Sequence, residues 1–157
     1  MLRLTKQTDY ALVLLSLIAR NGASEMFTAR DLARRTNIPL PMVSKILKRL
    51  GKEEILHSVR GASGGYRLAR DPSEVSVAEI ILTLEGPISI TECSGESDTL
   101  CALECSCPVS STLQRVNRAV IDALEGISIG DVAAPHHAAS DPKPCSCTAP
   151  LIGAPGA

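Results

Sequence analysis

The sequence has very few aromatic side chains and no hydrophobic run long enough to cross a membrane. Its 157 residues include no Trp, two Tyr and one Phe, so the core must be built from aliphatic residues. The apolar run LVLLSLIA near the start is far shorter than the ~20 residues that a membrane-spanning helix needs. No small-residue cleavage site follows it. We therefore expect a protein of the reducing cytoplasm with no membrane partner.

The sequence also lacks the residue patterns of most enzymes. Of its histidines, His57 lies in a region predicted to form a hairpin, and His136 and His137 lie in a tail, so none belongs to a catalytic constellation. The Gly-rich stretch GASGG does not precede a helix, as a phosphate-binding loop would. We expect neither enzymatic activity nor a small-molecule substrate.

Charge is distributed unevenly along the chain. Residues 1–70 hold 13 Lys and Arg against five Asp and Glu, whereas residues 71–157 hold three against twelve. A basic half of this kind is typical of a protein that binds nucleic acid. The alternative is an uneven surface charge without a polyanionic partner.

Helix signals recur over the first forty residues. The first predicted helix runs from Lys6 to Arg20, with Thr5 as its N-cap and Gly22 after its end. The second begins after Thr28, a suitable cap, and ends before Pro39. The residues expected to form the buried stripe of the first helix are Tyr10, Leu14, Leu17 and Ile18.

A third predicted helix opens at Pro41, which suits a first turn because its missing N–H is not needed there, and ends at Leu50. Apolar residues recur along it at i, i+3, i+4 and i+7, which places one face in the core. A short helix, a turn and a second helix with a basic outer face indicate a helix-turn-helix. The core face comprises Val43, Ile46, Leu47 and Leu50, and the outer face Ser44, Lys45 and Lys48.

Two β-prone runs flank GASGG between Ile55 and Arg70, which predicts a β-hairpin. Arg60, Arg67 and Arg70 add positive charge to it. A basic hairpin directly after a helix-turn-helix is typical of the wing of a winged helix. We therefore predict a mainly α fold with a small β-hairpin wing, in which residues 1–86 form a winged helix-turn-helix DNA-binding domain.

A capping box, SVAE at residues 76–79, begins an apolar helix that ends at Gly86. A long helix then runs from Pro108 to about Glu125. Its apolar residues recur at steps of four and three, a heptad seam formed by Val109, Leu113, Val116, Val120 and Ala123. We favour a dimerisation helix with a short extension over residues 108–132, since symmetric DNA-binding proteins are commonly two-fold dimers. The alternative is a helix packed on its own domain.

The last segment, residues 133–157, is rich in Ala, Pro, Gly and Ser and is predicted to be a disordered tail. It contains Cys145 and Cys147, for which we expect no specific metal binding.

Four of the six cysteines lie within fifteen residues, at Cys93, Cys101, Cys105 and Cys107, in a predicted loop over residues 87–107. In a reducing compartment such clusters more often bind metal or act in redox chemistry than form structural disulfides. The spacing C-x7-C-x3-C-x-C contains no C-x2-C knuckle typical of structural zinc. Well-spaced thiolates on a loop suit an iron–sulfur cluster, but spacing alone does not choose between iron–sulfur and zinc.

Four stretches together carry a family resemblance: RLTKQTDYAL at the start, the wing SVRGASGGYRLAR, the helix start VAEII and the loop cysteines ending in CPV. They resemble the winged-helix family of iron–sulfur-cluster transcription regulators, which includes IscR-type regulators and nitric-oxide-sensing repressors. The branch that regulates the SUF cluster-assembly system is the one that this chain most resembles. The resemblance covers about residues 1–132. It implies a homodimer that binds a double-stranded DNA operator and carries a 2Fe–2S or 4Fe–4S cluster.

The resemblance also implies ligands. The three loop cysteines of the family correspond to Cys93, Cys101 and Cys107, the last because CPV leads into the long helix. Cys105 is then an extra thiol or a substitute ligand. The first gap, seven residues, is longer than is common in the family, and Ser110 stands where some members have a histidine ligand.

Asp9 is the candidate fourth ligand, because other members take an acid from the first helix of the partner subunit. The alternative is that Asp9 only favours the positive N-terminus of that helix.

For DNA, the helix from Pro41 to Leu50 is expected to enter the major groove. Ser44 and Lys45 would reach base edges there, and Lys48 a phosphate. Arg60 would enter the minor groove, and Thr28 would bind phosphate at a helix N-terminus. The alternatives are a zinc- or thiol-redox-sensing regulator of the same fold, and an iron–sulfur carrier whose helix-turn-helix is incidental.

Overall fold

The structure, a computed structural model, describes residues 4–22, 25–61, 64–90 and 107–134. These residues form a mainly helical fold with one antiparallel hairpin, which confirms the predicted fold class. None of the described helices is long and apolar enough to cross a membrane. In chain order the elements are α1 (Lys6–Arg20), α2 (Ala29–Thr36), α3 (Leu40–Lys52), β1 (Leu56–Val59), β2 (Gly65–Leu68), a 3-10 turn (Pro72–Glu74), α4 (Val77–Glu85), α5 (Ser110–Glu125) and α6 (Ile129–Ala133).

The bounds of α1 agree with the prediction, but its buried stripe does not. Leu14 and Ile18 are fully buried as expected, whereas Tyr10 and Leu17 are only half-buried. Tyr10 and Leu17 still pack against the hydrophobic core, and α1 is packed by α6 as well as by α3 and α4. The positions buried instead are Thr8, Ala11 and Leu15.

The helix-turn-helix is formed by α2 and α3. Thr28 caps α2 as predicted, and Asn37 ends it in the left-handed conformation with φ of 56°. Helix α3 begins one residue before Pro41, and its four predicted core residues are all fully buried. This burial fixes the rotation of α3, so its polar and basic face must point outward.

The wing is tied to the helix-turn-helix through Phe27, the only phenylalanine of the chain. Strands β1 and β2 pair antiparallel with Leu56 opposite Leu68. On the other side of β2, Phe27 and Tyr66 exchange two backbone hydrogen bonds, with N···O distances of 3.0 and 2.8 Å. The backbone approach is close at Gly65, where an added Cβ would lie 2.7 Å from the Phe27 carbonyl oxygen.

Gly65→Ala is therefore expected to lower the free energy of unfolding by about 1–3 kcal/mol, the usual cost of overpacking, because the new methyl group meets backbone atoms. Urea unfolding measures the change. Gly51→Ala is the matched control, since its Cβ would lie at an ordinary 3.7 Å from the Leu56 oxygen. A Gly65→Ala protein as stable as wild type would show that the approach to Phe27 is not tight.

Ser76 is the N-cap of helix α4, and its hydroxyl accepts the Glu79 N–H at 3.1 Å. The predicted capping box was half right, because the Glu79 carboxylate binds the Arg70 guanidinium at the end of the wing. Glu79 therefore links α4 to the wing.

The chain after α5 returns to the winged helix, which the sequence did not indicate. Residues 75–77 and 127–129 pair through two backbone hydrogen bonds of 2.8 Å, and Ile129 is fully buried in the core. Helix α6 opens with a capping box between Ser128 and Asp131 and packs on α1, where the Arg20 side chain donates to the Ala133 carbonyl at 2.8 Å. The extension predicted to follow a dimerisation helix thus completes the winged-helix core. The predicted tail lies outside the described residues from position 135 onward.

Helix α5 begins at Ser110, two residues after the predicted Pro108, and ends at Glu125 as predicted. The predicted heptad seam divides into two flanks. Leu113 and Val120 are half-buried, and the helix packs on α4. The other flank, which we name the outer strip and which consists of Val109, Val116 and Ala123, stays exposed, with Val109 at 51% and Val116 at 46%.

Candidate nucleic-acid interface and cysteine site

The outer face of α3 presents the residues predicted to contact DNA. Lys45 and Lys48 are exposed and Ser44 is half-buried, on a helix whose other face is locked in the core. Arg49 and Lys52 are also exposed on α3, which the prediction did not single out. A rigid helix that carries four outward cations matches the electrostatic pattern of a major-groove reading helix.

Thr28 is engaged as a helix cap. Its hydroxyl accepts the Asp31 N–H at 3.2 Å and donates to the Asp31 carboxylate. The hydroxyl of Thr28 holds the pKa of Asp31 below its usual value, so the acid stays charged at neutral pH. A phosphate at this N-terminus would meet that negative charge, and the predicted phosphate contact of Thr28 stays a prediction.

Two of the wing arginines point outward. Arg60 directly follows β1 and is exposed, next to Gly61 in the left-handed region with φ of 118°. Arg67 is exposed on β2, opposite His57. Arg70 is held by Glu79 instead. The hairpin therefore places Arg60 and Arg67 in solvent on the same structural unit as α3.

The N-terminus of α1 is held by the last residue of α4. The Glu85 carboxylate accepts the Thr5 N–H at 2.8 Å and the Thr8 hydroxyl. Partial burial raises the pKa of Glu85, but the hydrogen bonds from Thr8 and Thr5 outweigh it and the net pKa is lowered. Asp9 lies in this first turn and is exposed, so its carboxylate is accessible to a ligand or to another subunit.

Cys107 is the one predicted ligand cysteine among the described residues, and its thiol is free and half-buried. It lies just before α5, where its carbonyl oxygen accepts the Ser110 N–H at 3.4 Å and the Ser110 hydroxyl at 3.2 Å. Cys93, Cys101 and Cys105 lie outside the described residues, as do Cys145 and Cys147. Over the part of the chain that is described, no three His, Cys, Asp or Glu side chains gather to hold a metal ion.

Asn117 of α5 contacts the chain that leads to the cysteines, and sequence reasoning missed it. Its side chain is 5% exposed. The Oδ1 atom accepts the Ile90 N–H at 3.0 Å, and Nδ2 donates to the Ile88 carbonyl at 3.3 Å. The sequence signal for its burial was its position one helical turn from two apolar residues, Leu113 and Ile121, which are both half-buried.

The fold and the basic outer surface define a winged helix-turn-helix protein of the DNA-binding class. Residues 4–135 match the sequence model of the Rrf2 family, described as iron-dependent transcriptional regulators. The chain belongs to this family, which confirms the resemblance and makes the protein a transcriptional regulator of the Rrf2 type. The family consists of regulators rather than enzymes.

Relatives with assigned names agree with this membership. Protein aau3 of Rhizobium meliloti (strain 1021) is 31% identical over 131 residues, which cover 83% of this chain and 84% of that protein. The transcriptional regulator NsrR of Shouchella clausii is 27% identical, with 83% and 88% covered. The regulator IscR of Vibrio cholerae is 27% identical, with 83% and 75% covered.

A solved structure also matches the fold. CymR of Bacillus subtilis, described as the global cysteine regulator, superposes with a TM-score of 0.70 at 26% identity, covering 85% of this chain and 97% of that one.

Proposed function

We propose that this Rrf2-family regulator is a homodimer that binds a DNA operator and senses through an iron–sulfur cluster on its cysteine segment, residues 91–107, controlling genes of SUF-type cluster assembly. The observation that carries the proposal is the position of Cys107. Its free thiol stands at the beginning of α5, the helix that also bears the exposed outer strip. The cysteine segment and the proposed dimer surface therefore share one rigid element.

The described donor groups fit such a cluster. Cys107 offers an accessible thiol and Asp9 an exposed carboxylate, and thiolates are the ordinary ligands of protein-bound iron–sulfur clusters. The full set in the proposal is Cys93, Cys101 and Cys107 with Asp9 of a second subunit. When bound, the cluster would supply a redox-active iron centre to which the three cysteine thiolates are ligands.

The chain's own residues would connect that centre to DNA. Glu85 fixes the end of α4 to the first turn of α1, the turn that carries Asp9. A ligand shared between Asp9 of one subunit and Cys107 of the other would fix the two DNA-binding heads, the winged-helix domains of the two subunits, relative to each other. Such a ligand shifts the equilibrium between dimer arrangements only by its differential affinity for them.

In the operator complex, α3 would lie in the major groove with Ser44 and Lys45 at base edges and Lys48 at a phosphate. Arg60 would reach from the wing into the minor groove, where a narrow groove attracts arginine. We assign Thr28 chiefly to capping α2, since its hydroxyl is engaged by Asp31.

Lys45→Ala is expected to weaken operator binding. The loss is about 1–3 kcal/mol if Lys45 contacts a base edge, and the log–log salt slope falls by about one if it contacts a phosphate. Fluorescence anisotropy at several salt concentrations separates the two cases. The control is Lys6→Ala, which removes an exposed lysine from α1 instead of α3. Unchanged affinity and slope for Lys45→Ala would remove that residue from the interface.

A thiol-redox regulator of the same fold is the second candidate. The likeness to CymR, described as a global cysteine regulator, favours it. In that case the cysteine segment would respond to oxidants without bound metal, and purified protein would be colourless.

The test selects the operator from a random pool of DNA duplexes and then measures its affinity in the iron–sulfur-loaded, apo and oxidised protein. The proposal predicts one two-fold-symmetric site, found upstream of cluster-assembly genes, with affinities that differ by about tenfold or more between loaded and apo protein. A response to oxidant alone would support the thiol regulator. Binding without sequence preference would support the iron–sulfur carrier and contradict the proposal.

A further inference from the structure

The six residues from the last residue of α4, Glu85, to Ile90 before the cysteine segment are held at both ends. At one end, the Glu85 carboxylate binds the Thr5 N–H and the Thr8 hydroxyl of α1. At the other end, Asn117 of α5 binds Ile88 and Ile90. Residues 85–90, which we name the linker, thus join the winged helix to α5 immediately before the cysteine segment.

The side chains that hold the linker are unusual in their burial. Across the described ranges, the buried polar side chains are Thr8 and Asn117, at 0% and 5% exposure, and each holds one end of the linker. Burial of a polar group costs free energy unless its hydrogen bonds are made, so an aliphatic residue would be the simpler choice for packing alone. A buried polar residue instead fixes register, because its bonds are directional.

Asn117 makes a two-point contact with the linker backbone. Its carboxamide accepts from one backbone N–H and donates to one backbone carbonyl two residues earlier. The contact lies near the middle of α5, one residue from Val116 of the outer strip. A displacement of the linker along α5 therefore either moves the helix with it or breaks both hydrogen bonds.

We propose that Asn117 is a positioning residue that couples the state of the cysteine segment to the orientation of α5, and through α5 to the DNA-binding heads. The inference rests on the proposed function, since it assumes that the cysteine segment changes state. Ile90 precedes Cys93 by three positions, so a geometric change at the cysteines reaches Asn117 with little intervening chain. Glu85 anchors the opposite end and keeps the linker from absorbing the change.

The test compares operator affinity in iron–sulfur-loaded and apo protein for wild type, Asn117→Ala and Gln114→Ala. The wild-type operator selected from random duplexes is the probe. Gln114→Ala is the matched control, since it also removes an amide from α5 but at an exposed position. We expect a loaded-to-apo affinity ratio of about tenfold or more in wild type and in Gln114→Ala, and a ratio below about twofold in Asn117→Ala.

The loaded-to-apo affinity ratio shows whether Asn117 couples the cysteine segment to DNA binding or only stabilises the fold. A merely structural Asn117 would weaken binding in both states and leave the ratio at its wild-type value, and that result would overturn the inference. A wild-type ratio of one would overturn the proposed function itself, and the inference with it. The two failures are therefore distinguishable.

A second variant and a second measurement test the inference if Asn117→Ala folds poorly or binds too little iron–sulfur cluster. Asn117→Asp keeps the acceptor for the Ile90 N–H but not the donor to Ile88, so its ratio should lie between those of alanine and wild type. In apo protein, the rate of Cys107 alkylation by iodoacetamide should change on operator binding in wild type and stay constant in Asn117→Ala. An alkylation rate that responds equally to operator in both proteins would contradict the inference.

Discussion

In the proposed homodimer, Val116→Arg is expected to separate the two subunits and to abolish tight operator binding. Val116 is 46% exposed in the outer strip, where Val109, Val116 and Ala123 recur every seven residues on one flank of α5. In a two-fold dimer formed by this strip, the two new arginines would be buried close to each other. An uncompensated buried charge costs about 3–5 kcal/mol, and a two-fold interface carries the change twice.

Sedimentation velocity gives the oligomeric state, and anisotropy with the selected operator gives the affinity. A monomer contacts one half-site at a time, so we expect operator affinity to fall by about two orders of magnitude or more. Gln114→Arg is the matched control, because residue 114 is exposed and two positions away, on nearly the opposite side of the helix. A dimeric Val116→Arg protein with normal affinity would show that α5 serves only its own domain.

Cys107→Ser is expected to abolish stable iron–sulfur binding while the winged helix stays folded. Serine has nearly the shape of cysteine but lacks the thiolate sulfur that is the ordinary ligand of the iron in these clusters. Cys107 is half-buried and lies outside the hydrophobic core, so the free energy of unfolding should change little. With the cluster lost, operator affinity should become insensitive to iron and sulfide.

Iron and sulfide content and visible absorbance of anaerobically purified protein measure the effect. Cys101→Ala is expected to behave in the same way, whereas Cys105→Ser should keep its cluster if Cys105 is an extra thiol. A Cys107→Ser protein with full iron content would remove this ligand assignment. Loss of cluster in Cys105→Ser alone would move the third ligand to that position.

The local parts of the fold were predictable because their signals are local. Thr5 and Thr28 cap α1 and α2 within three residues along the chain, and Pro41 lies in the first turn of α3. The apolar period of α3 alone identified its buried face. Each of these features depends on neighbours in sequence, so single-sequence reasoning located them.

The features of the fold that the sequence did not predict depend on contacts between residues far apart in the chain. The predicted stripe of α1 omitted Thr8, Ala11 and Leu15, which are buried, and it did not indicate that α6 packs on α1. Glu85 contacts Thr5 across 80 positions, and Asn117 contacts Ile90 across 27. No periodicity reports such pairings, so the linker and its anchors became visible only in the folded chain.

The division of the heptad seam has the same origin. A period of seven predicts an apolar stripe but not its partner. In the structure, α4 covers part of the stripe and leaves the outer strip exposed. The packing of α5 on α4 agrees with the alternative of a helix packed on its own domain for one flank, and the dimerisation helix stays a prediction for the exposed outer strip.

The proposed iron–sulfur cluster on the cysteine segment is tested by iron and sulfide assays and a visible spectrum of wild-type protein purified without oxygen. We expect a brown protein with thiolate-to-iron absorption and iron and sulfide in roughly equal amounts. A colourless protein that takes up no iron after anaerobic reconstitution, or that contains stoichiometric zinc instead, would contradict it.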